Sequence, residues 1–329
     1  MSLIYFFIGL LTLVLIYGTL TMALNLHFGY SGMINFGMVA FLAVGAYTYA
    51  IATSPPPGAI DSYLAGFDLP VWVGTLLAIG FTGLFGYLIA KVSLRLSGEY
   101  LALTTFAFAE VVYSIFNNEK WLGNGPLGMD SLSRPLAGLA SGNVYQVVLF
   151  LIVAALTFSV FVVLERLSGT PFGLTLRAIR ENESAVLAAG KNAHDYKLQA
   201  FVLGSMIAGL AGAMFAWFYT LVVPDLFLAD VTFTVWIAMV LGGVGSNRGC
   251  LLGILLLICF QELTRFFQSS PDTASLLISL RTIMLGFLFV VVLRLRPGGL
   301  LGERHRIEHD GGSPAQSTIA SGMGGGPSA

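Results

Sequence analysis

Residues 165–197 read ERLSGTPFGLTLRAIRENESAVLAAGKNAHDYK and lie between two long apolar runs. We call this stretch the charged segment. It holds five basic and four acidic side chains in a protein of which only 10% of residues are charged. Because a solvated stretch of this length cannot sit within a bilayer, we predict a cytoplasmic loop at which a protein partner docks.

The rest of the chain has the composition of a membrane protein. Of its 329 residues 56% are hydrophobic, and the mean hydropathy is +0.84. A water-soluble core cannot hide that much apolar surface, so we predict an all-α, polytopic integral membrane protein. The net charge of -1 excludes a nucleic-acid partner, which would need clustered excess Lys and Arg.

Apolar runs long enough to be membrane helices predict about nine transmembrane spans. They cover residues 3–26, 33–52, 71–90, 100–116, 144–164, 198–223, 231–241, 249–263 and 276–293. The seventh and eighth runs are short and meet at a Gly-rich turn, which favours tilted or broken helices. Stripes of small residues along 74–90 and 204–216 indicate close packing between helices.

The basic residues predict the orientation of the chain. With the amino terminus outside, twelve of the 16 Lys and Arg residues fall on the cytoplasmic side, three fall outside, and Arg281 lies near the outer part of the last span. The carboxyl terminus is then cytoplasmic. Residues 1–302 form the predicted transmembrane domain, and the apolar-poor residues 303–329 form a disordered cytoplasmic tail.

The charged segment contains two short helical patterns. Pro171 suits a first helical turn, and Asn182 is a predicted N-cap of a helix over residues 183–189 that Gly190 ends. This short helix either inserts into a groove on a partner protein or lies on anionic lipid, and the residues alone favour neither.

Glu110 is a carboxylate within the fourth predicted span. Exposure to lipid would cost a few kcal/mol, so its side chain faces water or another helix. It either makes a polar contact near a solute path or a subunit interface, or it is a hydrogen-bonded structural residue, which the residues alone favour.

Three polar residues flank a glycine cluster between the first two spans: Asn25, Ser31 and Asn35. The cluster either interrupts a helix and turns backbone groups toward the interior, as in discontinuous transporter helices, or makes a tight cytoplasmic turn. The second interpretation is slightly favoured.

Several motifs resemble the branched-chain amino acid permeases of ABC importers, most closely their LivM-type membrane subunit. The resemblance covers residues from about 20 to 302 in the family's order. The matching stretches are GYSGMINFG (29–37), FLAVGAY (41–47), LSGEYLAL (96–103), FAEVV (108–112), WLGNGPLGM (121–129), TPFGLTLRAIRENESAVLAAG (170–190), KLQAFVLGSMIAGLAGA (197–213), VLGGVGSNRG (240–249) and RPGGLLG (296–302).

The resemblance implies a multi-pass subunit of the cell (inner or plasma) membrane, within the lipid bilayer. Its implied partners are a second related permease, two cytoplasmic ATPases and an extracytoplasmic substrate-binding protein. This chain is then no enzyme and binds no cofactor, since it lacks a phosphate loop and ATP and Mg would sit on the ATPases.

The resemblance also assigns residues to partners. The residues of the charged segment that would contact an ATPase are Arg177, Arg180, Glu181, Asn182, Glu183, Ser184, Ala185, Ala188 and Gly190. Asn124, Gly125 and Gly128 lie in the external loop that would meet the binding protein, although an ordinary surface turn explains them nearly as well.

The implied cargo is a branched-chain or other small neutral amino acid. Related permeases carry urea or short-chain amides, so these remain an alternative. An ion-coupled secondary transporter would show several intramembrane carboxylates, and only one is clear here. A membrane enzyme would need converging His, Asp, Ser or Cys residues, which the sequence does not offer.

Overall fold

The computed structural model describes residues 2–58, 63, 66–96, 98–138, 142–266, 283, 286, 294 and 299–301. Eleven α-helices lie within these residues. They are α1 (Ser2–Leu24), α2 (Met38–Thr53), α3 (Val71–Ser93), α4 (Glu99–Asn118), α5 (Lys120–Gly123), α6 (Asn143–Ser168), α7 (Pro171–Glu181), α8 (Glu183–Ala188), α9 (Ala193–Tyr219), α10 (Ala229–Gly242) and α11 (Asn247–Phe266).

The all-α, multi-pass membrane class is confirmed over the described residues. Six helical stretches are long and apolar enough to cross a membrane: Leu3–Tyr30, Val71–Ser93, Glu99–Asn118, Val144–Ser168, Ala193–Tyr219 and Pro224–Gly242. The second and eighth predicted spans are also helical, as α2 and α11, although α2 has only 16 residues. The ninth span, 276–293, and the tail, 303–329, lie outside the described residues. The count of nine, the domain boundary and the orientation therefore stay predictions.

The centre of the bundle is α9, against which α2 and α3 pack. Small residues let the three backbones approach. A Cβ atom added at Gly45 would lie 2.5 Å from the carbonyl oxygen of Gly209, and one at Gly83 would lie 2.6 Å from the Met206 side chain. The α2 helix is buried on nearly all sides. The stripes along 74–90 and 204–216 are therefore packing surfaces, as expected where dispersion replaces the hydrophobic effect.

We expect Gly45→Val to destabilise the protein by about 1–3 kcal/mol, because the atom that the new side chain meets belongs to a backbone that cannot rotate away. Gly80→Val is the matched control, since a Cβ at Gly80 meets nothing within 4 Å. Both substitutions place the same β-branched residue in a membrane helix. Thermal unfolding in detergent compares them, and equal losses of stability would contradict the assigned contact.

The α1 helix packs beside the centre and contacts α6, α10 and α11. The α10 and α11 helices form a close hairpin around glycine contacts: a Cβ at Gly249 would lie 2.5 Å from the Gly242 carbonyl oxygen. The turn between them, residues 243–246, lies at the same end of the bundle as α7 and α8. We call this end the α7–α8 end.

The chain between α1 and α2 is not a simple turn. The α1 helix widens into a π-helical turn, Asn25–Tyr30, and residues 32–37 then run without helical structure to the start of α2. Most of this connector is buried. The connector brings polar groups of residues 25–37 between α9, α10 and the charged segment.

Candidate functional site

The charged segment folds into the two predicted helices. The Thr170 hydroxyl accepts a hydrogen bond from the Gly173 N–H at 3.4 Å, with Pro171 at the first helical position of α7. The Asn182 side-chain oxygen accepts from the Ala185 N–H at 3.1 Å and caps α8. Gly190 has a φ of +78°, which ends the second helix in the conformation that glycine favours. The predicted cap, proline and glycine are thus confirmed as local structure.

The α8 helix presents one small, exposed face. Ser184, Ala185 and Ala188 are exposed, whereas Val186 is buried. A helix of six residues is too short for its pattern to show which side packs inward. Glu181, Asn182 and Gly190 are exposed at its ends, so the surface a partner would meet is polar and free of bulky side chains apart from Leu187.

Two lysines tie α8 to its neighbours. The Lys197 ammonium lies 2.7 Å from the Glu183 carboxylate and joins α9 to the first turn of α8. The Lys191 ammonium donates to the Thr175 hydroxyl at 2.9 Å and joins the end of α8 to α7. Because both bonds cross between elements, α7, α8 and the start of α9 form a connected unit.

Two arginines of α7 bind the π-helical turn. The Arg180 guanidinium donates a hydrogen bond to the Gly29 carbonyl oxygen. The aliphatic part of the Arg180 side chain packs against Gly32, where an added Cβ atom would lie 3.2 Å from Arg180 Cγ. The Arg177 guanidinium stands 5.1 Å from the centre of the Tyr30 ring, within the range of a cation–π contact. These two contacts connect α7 directly to the end of α1.

Asn25 and Asn247 extend this connection to the α10–α11 hairpin. Asn25 donates to the Asn247 side-chain oxygen at 3.0 Å and accepts from the Gly245 N–H at 2.8 Å. Asn247 in turn donates to the Tyr30 hydroxyl at 3.0 Å and lies 3.4 Å from the Glu165 carboxylate. Both asparagines are fully buried. We call Asn25, Tyr30 and Asn247 the amide network.

Asn35 holds the connector to α9 through His27. The His27 Nε2 atom lies 3.0 Å from the Phe201 carbonyl oxygen, so this nitrogen carries the proton, and Nδ1 accepts from the Asn35 amide at 3.0 Å. Asn35 also accepts from the Gly37 N–H at 2.7 Å, and Ser31 donates to the His27 carbonyl oxygen. The three predicted path residues Asn25, Ser31 and Asn35 are therefore buried and hydrogen-bonded within the chain.

Glu110 is exposed on the outer surface of α4. No hydrogen bond or ion pair with another described residue holds its carboxylate. Phe106, one turn earlier, lies 6.4 Å from Phe233 of α10, and Tyr113, one turn later, donates to the Asp225 carboxylate at 3.1 Å. Glu110 thus stands at the membrane depth of the α4–α10 seam, where a carboxylate requires water or a partner.

The loop candidates Asn124, Gly125 and Gly128 are buried in a tight turn. Asn124 has a φ of +65° and donates to the Gly128 carbonyl oxygen at 3.1 Å. The turn is fixed by Met129, which pairs with Val222. Exposed side chains there include Trp121, Pro126 and Leu127 instead. The three predicted residues therefore shape the loop, and their exposed neighbours form its surface.

Sequence reasoning missed the centre of the α7–α8 end. Tyr30, His27 and Asn247 were not predicted as site residues, yet they join the charged segment, the connector and the hairpin. The only signal was their position: Tyr30 and Asn247 lie in the glycine-rich stretches 29–37 and 240–249, and His27 lies two residues before the first of them.

Comparisons with known proteins match nearly the whole chain. The family model described as "Branched-chain amino acid transport system / permease component" matches residues 6–293. The LivM permease protein of the high-affinity branched-chain amino acid transport system of Escherichia coli (strain K12) is 30% identical over 316 residues, which are 89% of this chain and 69% of that protein. A probable LivM protein of Methanocaldococcus jannaschii is 28% identical over 318 residues, 88% and 91% of the two chains.

A more distant relative extends the same comparison. The permease protein BraD of the high-affinity branched-chain amino acid transport system of Pseudomonas aeruginosa is 27% identical over 309 residues, 87% of this chain and 91% of its own. No solved structure matches the chain.

Proposed function

The chain belongs to the family of branched-chain amino acid transport permease components, and we propose that it is the membrane permease subunit of an ABC importer for branched-chain or other small neutral amino acids. ATP hydrolysis takes place on two partner ATPases in the cytoplasm, where ATP and Mg bind. A second related permease and an extracytoplasmic binding protein complete the importer in the cell (inner or plasma) membrane.

The observation that carries this proposal is the anchored surface helix α8. Its exposed face of Ser184, Ala185 and Ala188 is small enough to enter a groove, and two lysines hold it to α7 and α9. A helix that only rested on lipid would present a continuous apolar face to the bilayer, whereas α8 turns Val186 inward and exposes one bulky apolar side chain, Leu187. The arginines of α7 then pass its movement to the end of α1.

The solute path runs along the α4–α10 seam, between this chain and the second permease. Glu110 is an intramembrane carboxylate that no described residue binds. The half-buried ring of Phe106 lies one turn before it on α4, beside the exposed ring of Phe233 on α10. A carboxylate beside aromatic rings suits the ammonium and aliphatic side chain of a neutral amino acid. Asn25, Ser31 and Asn35 support this path by fixing the connector.

The proposal is tested with the importer assembled from its four kinds of subunit in lipid nanodiscs. ATPase activity is measured with the binding protein loaded with leucine, alanine or urea. We expect stimulation by leucine or alanine. Stimulation by urea alone would move the cargo to the amide class, and uphill uptake by the isolated chain on an ion gradient would refute the importer assignment.

We expect Glu110→Gln to lower leucine transport about tenfold while basal ATPase activity is unchanged. A hydrogen bond to a charged group contributes about 1.5–3 kcal/mol, and 1.4 kcal/mol corresponds to a factor of ten. Uptake into proteoliposomes measures the effect. Glu99→Gln, an exposed carboxylate at the other end of α4, is the matched control, and equal effects of both changes would exclude Glu110 from the path.

A further inference from the structure

A large apolar groove lies between α2, α3 and α4, far from the charged segment. Its volume is about 410 Å³, and almost all of its lining is carbon. Val44 and Ile51 of α2, Leu77 and Phe81 of α3, and Val112 and Ile115 of α4 form its walls. The α3 and α4 helices touch each other little, so the groove separates them. We call it the α3–α4 groove.

The rim of the groove faces the hydrocarbon. Leu76 and Leu84 of α3 and Val111 of α4 do not line the groove but are exposed on the helix surfaces beside it, within helices that are long and apolar enough to span a membrane. Tyr47 and Thr48 are the polar residues along the groove, and they give it almost no polar surface. Burying the charges of a zwitterionic solute there would therefore be costly. The occupant is therefore apolar and arrives from the bilayer.

The end of the groove away from the charged segment carries the features of a membrane interface. Leu122 and Phe67 close this end. Trp72 lies in the first turn of α3, and Trp121 directly precedes Leu122. Both residues are about half exposed, as in aromatic belts at the headgroup level. Lys120 is exposed next to Trp121, and no described carboxylate pairs with its ammonium.

We propose that the α3–α4 groove binds one acyl chain of a phospholipid from the leaflet at this end, and that Lys120 binds the phosphate of that lipid. The volume lies within the range of ordinary ligand sites, the apolar lining fits a hydrocarbon chain, and the positive charge matches the phosphate. The bound chain supplies the packing that α3 and α4 do not give each other. This inference does not depend on which solute is carried.

The test counts phospholipids that stay bound to the purified permease. The protein is taken from nanodiscs of palmitoyl-oleoyl phosphatidylglycerol into detergent, and native mass spectrometry follows the loss of lipid. We expect one phospholipid to be retained by the wild type. Leu77→Trp, which fills the groove, should lower its occupancy at least tenfold, whereas Leu76→Trp, at the adjacent lipid-facing position outside the groove, should not.

Further variants keep the test decisive if Leu77→Trp folds poorly. Ile115→Trp fills the groove from α4, and Val111→Trp is its control on the outer side of that helix. Lys120→Gln should weaken retention of the phospholipid several-fold. Added inorganic phosphate should not displace the lipid from the wild type, because the site binds the acyl chain as well as the phosphate. Equal retention in filled and control variants, or no retained lipid in the wild type, would overturn the proposal.

The second permease is the competing occupant. Cross-linking from Ile115→Cys in the assembled importer tests this alternative. A cross-link to the related permease would show that the groove is a subunit interface and would refute the lipid site. Failure of the leucine-stimulated ATPase experiment would leave the lipid count unaffected, so the two proposals fail separately.

Discussion

Ala185→Arg should lower the solute-dependent stimulation of ATPase activity at least about tenfold, while the permease folds and inserts normally. Ala185 is exposed on α8, so a longer side chain meets no atom of its own chain. In a groove on an ATPase, however, the arginine adds bulk and a charge without a partner, and an uncompensated buried charge costs about 3–5 kcal/mol. The expected result follows from the docking of α8 and not from its stability.

ATPase co-purification and stimulated hydrolysis in nanodiscs measure this effect. Ala185→Ser keeps the side chain small and should behave as the wild type. Gln199→Arg adds the same charge at an exposed position on α9, beyond the α8 face, and should leave recruitment intact. If Ala185→Arg binds and stimulates the ATPases as the wild type does, α8 is not the docking helix.

The replacement of Glu183 does not separate docking of α8 from its anchorage to α9. Glu183 is paired with Lys197, and both side chains are partly exposed, so the pair contributes little stability. Glu183→Gln removes the charge from α8 and from the bond to α9 together. Its effect therefore reports on both roles, which makes Ala185 the cleaner site for a first experiment.

The sequence predicted the features that depend on neighbours in the chain. Asn182 caps α8 because an Asn before a short run with Glu183 at its start satisfies the free N–H groups of the first turn. Pro171 and Gly190 mark a helix start and an end for equally local reasons. The apolar runs became helices because a membrane-buried backbone must satisfy its own hydrogen bonds.

The sequence could not predict the features that depend on contacts between distant residues. Asn25 forms a hydrogen bond with Asn247, 222 positions away, and no local sequence pattern predicts such a pair. The turn at Asn124 is oriented by Met129 and Val222, so residues predicted to face a partner became buried. Glu110 was favoured as a hydrogen-bonded structural residue, yet its carboxylate is exposed and no described residue bonds to it.

The amide network gives the second large expected effect. Asn247→Leu should uncouple leucine transport from ATP hydrolysis, because it removes the bonds from Asn247 to Asn25 and to the Tyr30 hydroxyl. Each buried group left without a partner costs about 1–3 kcal/mol, and Leu keeps the branched shape of Asn without its hydrogen-bonding groups. The α10–α11 hairpin then keeps its packing against α1 but loses the hydrogen bonds of Asn247 to the end of α1, while α8 still binds the ATPases.

Hydrogen exchange tests this linkage in the isolated permease, without any ATPase. In Asn247→Leu the amides of α7 should exchange about tenfold faster, because the ring of Tyr30 that Arg177 contacts loses its hydrogen-bonded support. Asn118→Leu is the matched control, since Asn118 bonds only within its own helix at the far end of α4. Equal exchange rates of the α7 amides in both variants would show that the amide network does not link the hairpin to the charged segment.

A double substitution separates a direct bond from general loosening of the fold. If the two amides interact as a pair, Asn25→Leu with Asn247→Leu should cost less stability than the sum of the single changes, since each single change already breaks their shared hydrogen bond. Transport per ATP should stay low in the double variant, because two leucines restore packing but not the bonds to Gly245 and Tyr30. Additive losses of stability together with normal transport per ATP would show that the amides only fill space.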